Sequence, residues 1–165
     1  MNPSNQNPLL WIVASLWVAA CLMLYPLPDL LAPLRPEWLV LCGIYWILLF
    51  PYRVGLWSAW VLGLGIDMLQ GGLLGEHALA CVVVAYIMVR GHHRIRLFPR
   101  GQQMLVIFSV LLLYHGIIFL VQGLMGALQG GVWRGVLSAG ITALLWPCFW
   151  SAQHRVSIAG VIRTI

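Results

Sequence analysis

The side chains able to do chemistry are few in this chain, and their scarcity makes each one informative. Across 165 residues there is no lysine, and the acids are Asp29, Glu37, Asp67 and Glu76, set against nine arginines and five histidines. Charged residues make up 8% of the chain and hydrophobic residues 62%, where a soluble domain carries about 25% charged. A core of this size could not hide so much apolar surface, so lipid is the solvent for most of the chain. Charge inside hydrocarbon is costly and marks either function or a structural pair.

Asp67 is the leading candidate. It lies on a stripe of small residues, Gly55, Ala59, Gly63, Asp67 and Gly71, that recur every four positions. Such a stripe lets another helix backbone come close. It reads either as packing within the bundle or as a groove for another protein's transmembrane helix. Gly135, Ala139 and Ala143 repeat the theme near the end of the chain. A carboxylate on that stripe needs a partner or water. Arg35 and His115 are the candidates at similar depth, so an intramembrane polar clasp of Arg35, Asp67 and His115 is expected. A proton or solute relay needs several such groups in series, and only Asp67 and His115 present themselves. Glu76 and His77 fall at a helix start, where Glu76 favours the N-terminal dipole.

The basic stretch holding Arg90, Arg94, Arg96 and Arg100 reads as a cytoplasmic loop that anchors topology and touches anionic lipid. Docking of an intracellular partner is the alternative. His92 and His93 are adjacent and have no acid or cysteine beside them, so no metal site is expected. Cys21, Cys42, Cys81 and Cys148 fall one per apolar segment with no CxxC pair, and read as small buried hydrophobes. No Walker loop, GxSxG, HExxH or DxD-like cluster occurs, so neither catalysis nor a cofactor is expected.

These residues must be positioned by membrane helices. Six apolar segments can be drawn, at about 9–25, 37–50, 54–69, 77–89, 103–124 and 136–152, within a single integral membrane domain spanning 1–165. Segments two and three fall short of a roughly 30 Å hydrocarbon core. They extend by a turn through their flanks or form a re-entrant hairpin; six full spans is the preferred reading. Pro147 is expected to kink the sixth segment. With both termini cytoplasmic, that side holds Arg53, Arg90, Arg94, Arg96, Arg100, Arg155 and Arg163, and the other holds Arg35 and Arg134. Tyr25, Trp38 and Trp133 then mark the outer boundary, and Tyr52, Trp57 and Trp150 the inner one. The fold class is therefore all-α and polytopic.

One stretch carries more than physics. It holds Arg35-Pro36-Glu37-Trp38, Tyr45-Trp46, Pro51-Tyr52-Arg53-Val54, Gly63 through Asp67 to Gly71, and Leu74-Gly75-Glu76-His77-Ala78-Leu79. As an ordered set, with Leu145-Trp146-Pro147 in the last span, it resembles the rod shape-determining protein MreD family over nearly the whole chain. The resemblance implies a non-enzymatic inner-membrane scaffold of the bacterial elongation machinery. Its implied partners are MreC, the actin-like MreB filament, the glycan polymerase RodA and its partner transpeptidase. It also implies a fold similar to the membrane substrate-binding subunits of energy-coupling vitamin transporters, an architectural likeness that carries no ligand residues. The transmembrane helix of MreC is expected to dock near segment three. The alternative is a small-molecule-binding subunit of a transporter. That reading needs polar side chains converging from several segments on the outer side, where Asp67, His115, Tyr114 and Gln122 are the apparent ones.

Overall fold

A computed structural model of the protein describes residues 8–24, 35–127 and 131–161, with side chains as far as Gln153. Asp29, Tyr25 and Arg163 lie outside these residues, as does the side chain of Arg155. The described residues form six α-helices and no strand: α1 Pro8–Leu24, α2 Trp38–Leu49, α3 Leu56–Gln70, α4 Glu76–Leu97, α5 Arg100–Leu124 and α6 Val132–Val161. Short connections make successive helices antiparallel neighbours, with α3 on α4, α4 on α5 and α5 on α6.

The core is organised around α2. Every residue from Leu39 to Leu48 except Gly43 is buried, as expected of a helix that is apolar on all sides. At 12 residues it reaches only about 18 Å, well short of a bilayer core. It is wrapped by α1, α3, α4 and α6. The Nε1–H of buried Trp46 donates to Ser15 Oγ of α1 at 2.7 Å, so the indole keeps a partner away from water. The outer surface is apolar: Trp17, Trp57, Leu105, Leu120 and Leu144 are all exposed, which suits lipid and no other solvent. Cys21 and Cys148 belong to that surface, while Cys42 and Cys81 are buried as expected.

Among the described residues, three helices have the length and hydropathy to cross a membrane: α4, α5 and the Val132–Gln153 part of α6. By length, then, the expectation of six full spans is met by three helices, with α1 and α2 apolar but shorter. The basic stretch is also not a loop. α4 runs on through Arg90, Arg94 and Arg96 to Leu97, and α5 begins at Arg100. Arginine is a good helix former, and nothing breaks the helix until Pro99, which holds Phe98 in extended backbone (φ −70°, ψ 144°). Likewise α6 passes through Pro147 and extends to Val161.

The alternation of helices sorts the arginines by end. Arg53, Arg90, Arg94, Arg96 and Arg100 gather at one end of the bundle, and Arg35 and Arg134 stand at the other.

Candidate functional site

The turn between α3 and α4 sits at the end that holds Arg35 and Arg134. α3 stops at Gly71, whose φ of 67° is left-handed, and α4 starts after Gly75, whose φ is 102°. Two residues in that region let the chain reverse within five residues, which a side chain at either position would oppose. Reversal places residue 77 beside residue 67.

Gly75 has no side chain with which to cap α4, and Asp67 does it from the preceding helix. Its Oδ2 accepts from Gly75 N at 2.8 Å, and its Oδ1 from His77 N at 3.0 Å. The His77 ring completes the set, with Nδ1 at 2.8 Å from the same Oδ1. Both oxygens already accept backbone N–H groups, so the imidazole contributes its Nδ1–H as donor. Asp67 is 1% exposed, and a carboxylate at a helix N-terminus is favoured by the dipole there.

One turn earlier, Gly63 fixes the distance between the two helices. A Cβ at this position would stand 2.4 Å from Ala78 Cα and 2.7 Å from Ala78 N, both backbone atoms of α4. The stripe of Gly55, Ala59, Gly63, Asp67 and Gly71 therefore divides. Ala59, Gly63 and Asp67 are buried, with Gly63 and Asp67 against α4, whereas Gly55 and Gly71 have open space around them.

The clasp expected from Arg35, Asp67 and His115 is redrawn. Asp67 is engaged by α4, while His115 Nε2 lies 3.8 Å from Glu37 Oε1. Sequence depth had suggested the pairing, but the tight α3–α4 reversal puts His77 nearer. Between the two histidines stands Tyr114, its ring centroid 6.0 Å from that of His77 and 5.2 Å from that of His115. Gly135 of α6 makes room for His115: a Cβ there would come within 2.9 Å of the His115 Cβ and Cγ.

A polar belt extends from this point around the bundle. Gln122 Nε2 donates to Glu76 Oε2 at 3.1 Å. Glu37 N donates to Thr142 Oγ1 at 3.0 Å, and Ser138 Oγ donates to the Arg35 carbonyl at 2.8 Å. The segment entering α2 is thereby tied to α6. Glu37, Ser138, Thr142 and His77 were not among the expected clasp residues; Glu37 and His77 stand at helix starts, while Ser138 and Thr142 lie inside an apolar segment with no signal in the sequence. A cavity of about 640 Å³ opens here, lined by residues that include Arg35, Glu37, Glu76, His77, His115 and Arg134. This end of the bundle thus gathers more polar groups than the four the sequence suggested.

Asp67, Glu76 and His77 present three potential ligand atoms within 4.8 Å of one another. With both Asp67 oxygens given to α4 donors, Asp67 works as the cap of α4, and Glu76 takes Gln122 on one oxygen. The other end of α4 is capped from a neighbour too. Gln103 of α5, 4% exposed, donates its Nε2–H to the carbonyls of Ile95 and Phe98 at 3.1 and 3.2 Å, and its Oε1 accepts from Trp146 Nε1 at 3.1 Å.

A different feature lies on the basic side. An apolar groove of about 220 Å³ runs between α1 and α3 over the surface of α2, lined by Leu9, Ile12, Gly43, Ser58 and Leu62 among others, with Arg53 at its edge.

Comparison with known proteins bears on all of this. The family model for the rod shape-determining protein MreD matches residues 5–152. The chain is also similar to the rod shape-determining protein MreD of Haemophilus influenzae, 32% identical over 139 residues that cover 84% of this chain and 85% of the relative. No solved structure matches.

Proposed function

This chain belongs to the rod shape-determining protein MreD family, and from that premise we propose that it is a non-enzymatic scaffold of the bacterial elongation machinery. It acts in rod shape determination by binding MreC and helping to organise peptidoglycan synthesis. MreB, RodA and the partner transpeptidase assemble with it indirectly. Its place is the inner membrane, multi-pass, with both termini cytoplasmic. That orientation puts the arginine-rich end of the bundle inside, in keeping with the bias of basic residues toward the cytoplasm.

The observation that carries the scaffold reading, beside family membership, is how the intramembrane polar groups are used. Asp67 and Gln103 are committed to capping α4, a structural use that suits a rigid body built to hold partners. A scaffold in lipid also needs a place where a single apolar helix can lie. With Gly63 closed against α4, the docking site near α3 moves to its other flank, the groove between α1 and α3. The transmembrane helix of MreC is the occupant, since apolar side chains and the small Gly43 line that groove and favour close packing in lipid.

The test is a detergent pull-down of the tagged protein from its native membrane, with partners identified by mass spectrometry. Recovery of MreC supports the scaffold, and Ser58→Trp, which fills the groove mouth from an exposed position, should reduce that recovery. Recovery of an ATPase pair with a coupling subunit and no MreC would overturn the reading in favour of a transporter subunit. Normal MreC recovery with Ser58→Trp would show that the helix docks elsewhere.

A further inference from the structure

The end of the bundle opposite the Asp67 turn carries charge that the chain itself does not answer. Arg53, Arg90, Arg94, Arg96 and Arg100 gather there, five of the nine arginines. The described acids stand at the other end: Glu37 before α2, Asp67 in the last turn of α3 and Glu76 at the start of α4. Among the described residues none of the five arginines pairs with a carboxylate; the ion pairs present are those of His77 and His115.

Two of the five are nonetheless held in place. The Arg90 guanidinium stands over the Tyr86 ring, 5.4 Å from its centroid, and that of Arg100 over Trp150 at the same distance. A ring attracts the cation through its face and offers no oxygen acceptor, so the N–H fork stays available for an anion.

Position on α4 fixes the side from which that anion comes. The face packed into the bundle carries His77, Cys81, Val84, Met88 and Ile95. The opposite face carries Leu79, Tyr86, Arg90, Arg94 and Leu97, all exposed, at spacings that set them in one line along the helix. Arg90 and Arg94 thus continue a lipid-facing line. With 22 residues α4 is about 33 Å long, against a hydrocarbon core of roughly 30 Å, so its last turns reach the headgroups. Tyr52 and Trp57, both strongly exposed at that end, are side chains that favour the same boundary. The two connections there, residues 50–55 and 98–99, are short and raise little surface above the membrane for a soluble protein.

We propose that the line from Leu79 to Arg94 binds an anionic phospholipid, with an acyl chain along Leu79 and Tyr86 and the phosphate held by Arg90 and Arg94. Each basic residue near a membrane surface contributes about fivefold to the preference for anionic lipid, so the pair contributes about 25-fold. A zwitterionic headgroup offers the same phosphate but brings an ammonium toward the arginines, and is the weaker ligand. None of these residues lines the α1–α3 groove, and failure of this site would leave the scaffold reading untouched.

The test titrates the delipidated full-length protein in a mild detergent with phosphatidylglycerol or with phosphatidylcholine of the same chains, counting bound lipid by native mass spectrometry. Phosphatidylglycerol should bind more tightly. That preference should fall about fivefold in Arg90→Gln and about 25-fold when Arg94→Gln is added. Arg96→Gln lies on a different face of α4 and should change it less than either. The parent protein gives a check that needs no variant, since raising the ionic strength from about 0.1 to about 0.5 M should shrink the preference. Equal binding of the two lipids, a full preference in the double variant, or an equal loss in Arg96→Gln would each overturn the proposal. So would displacement of the lipid by an equal concentration of glycerol phosphate, marking a site for soluble phosphate, or of a glutamate-rich peptide, marking a site for an acidic protein.

Discussion

Replacing Asp67 by alanine removes the acceptor for three donors at once: Gly75 N at 2.8 Å, His77 N at 3.0 Å and His77 Nδ1 at 2.8 Å. Hydrogen bonds to a carboxylate contribute roughly 1.5–3 kcal/mol each, and every orphaned buried donor costs about 1–3 kcal/mol. These contributions overlap, so the better guide is the cost of breaking a buried pair, about 3–5 kcal/mol. Water cannot repair the loss, because His77 is itself only 6% exposed. For a chain of this size that corresponds to a fall in melting temperature of roughly 6–20 °C. Asp67→Asn distinguishes capping from mere space filling. It keeps one acceptor oxygen but turns an NH2 toward a donor, so it should lose about half as much as alanine. The assay is thermal unfolding in detergent, followed by circular dichroism and by the loss of monodisperse protein on size exclusion. Melting of Asp67→Ala within about 1 °C of the parent protein would refute the capping account. So would an asparagine variant as unstable as the alanine one, since shape would then be retained and the acceptor geometry shown to be irrelevant.

Two glycines two positions apart should respond in opposite directions. Gly63→Ala drives a Cβ into the α4 backbone and should cost about 1–3 kcal/mol, whereas Gly65→Ala meets nothing within 4 Å and should stabilise α3 by roughly 0.5–1 kcal/mol; unfolding midpoints of the pair check this, and a stable Gly63→Ala protein would contradict the close approach. Gln103→Leu keeps much of the volume but leaves the Trp146 Nε1–H and the Ile95 and Phe98 carbonyls without their partner. It should cost about 2–3 kcal/mol, and amide hydrogen exchange should accelerate at the α4–α5 junction while the far end of α4 is unaffected.

Class and family were legible because they rest on signals that survive without three-dimensional contacts: the dearth of charge, the arginine clusters and the ordered run from Arg35 to Leu79. The helix count followed from the same hydropathy. Lengths did not, because hydropathy stops at charge and a helix does not; α4 continues for two turns beyond the expected end at residue 89 through its arginines. The partner of Asp67 was hidden for a different reason. Depth along separate segments favoured Arg35 and His115, but the left-handed Gly71 and Gly75 close the reversal so tightly that His77 arrives first. Those two glycines were the available clue. Gln103 was hidden by position, since a polar residue at the start of an apolar segment reads as its boundary. The cavity was hidden because Glu37 and Ser138 had no visible reason to meet until α6 was laid beside the entrance to α2.

The placement of caps has a consequence for where a partner can bind. In lipid a helix terminus finds no water for its orphan N–H and C=O groups, so buried ends must be closed by side chains. α4 takes its caps from α3 at one end and from α5 at the other, with α6 joined through Trp146. Four helices are thereby keyed to one another by bonds that hydrocarbon cannot replace, and sliding any of them would orphan several groups at once. α1 is held differently. Among the described residues its polar link to the rest is Ser15, which receives the Trp46 indole and the Cys42 thiol, and it is otherwise an apolar helix lying on α2 and along the edge of α6. Apolar contact in lipid has little preference between one helix and another, because lipid tails are as apolar as leucine. If the chain holds a partner's helix as proposed, the flank of α1 and α3 is where it would be admitted at least cost, in the α1–α3 groove.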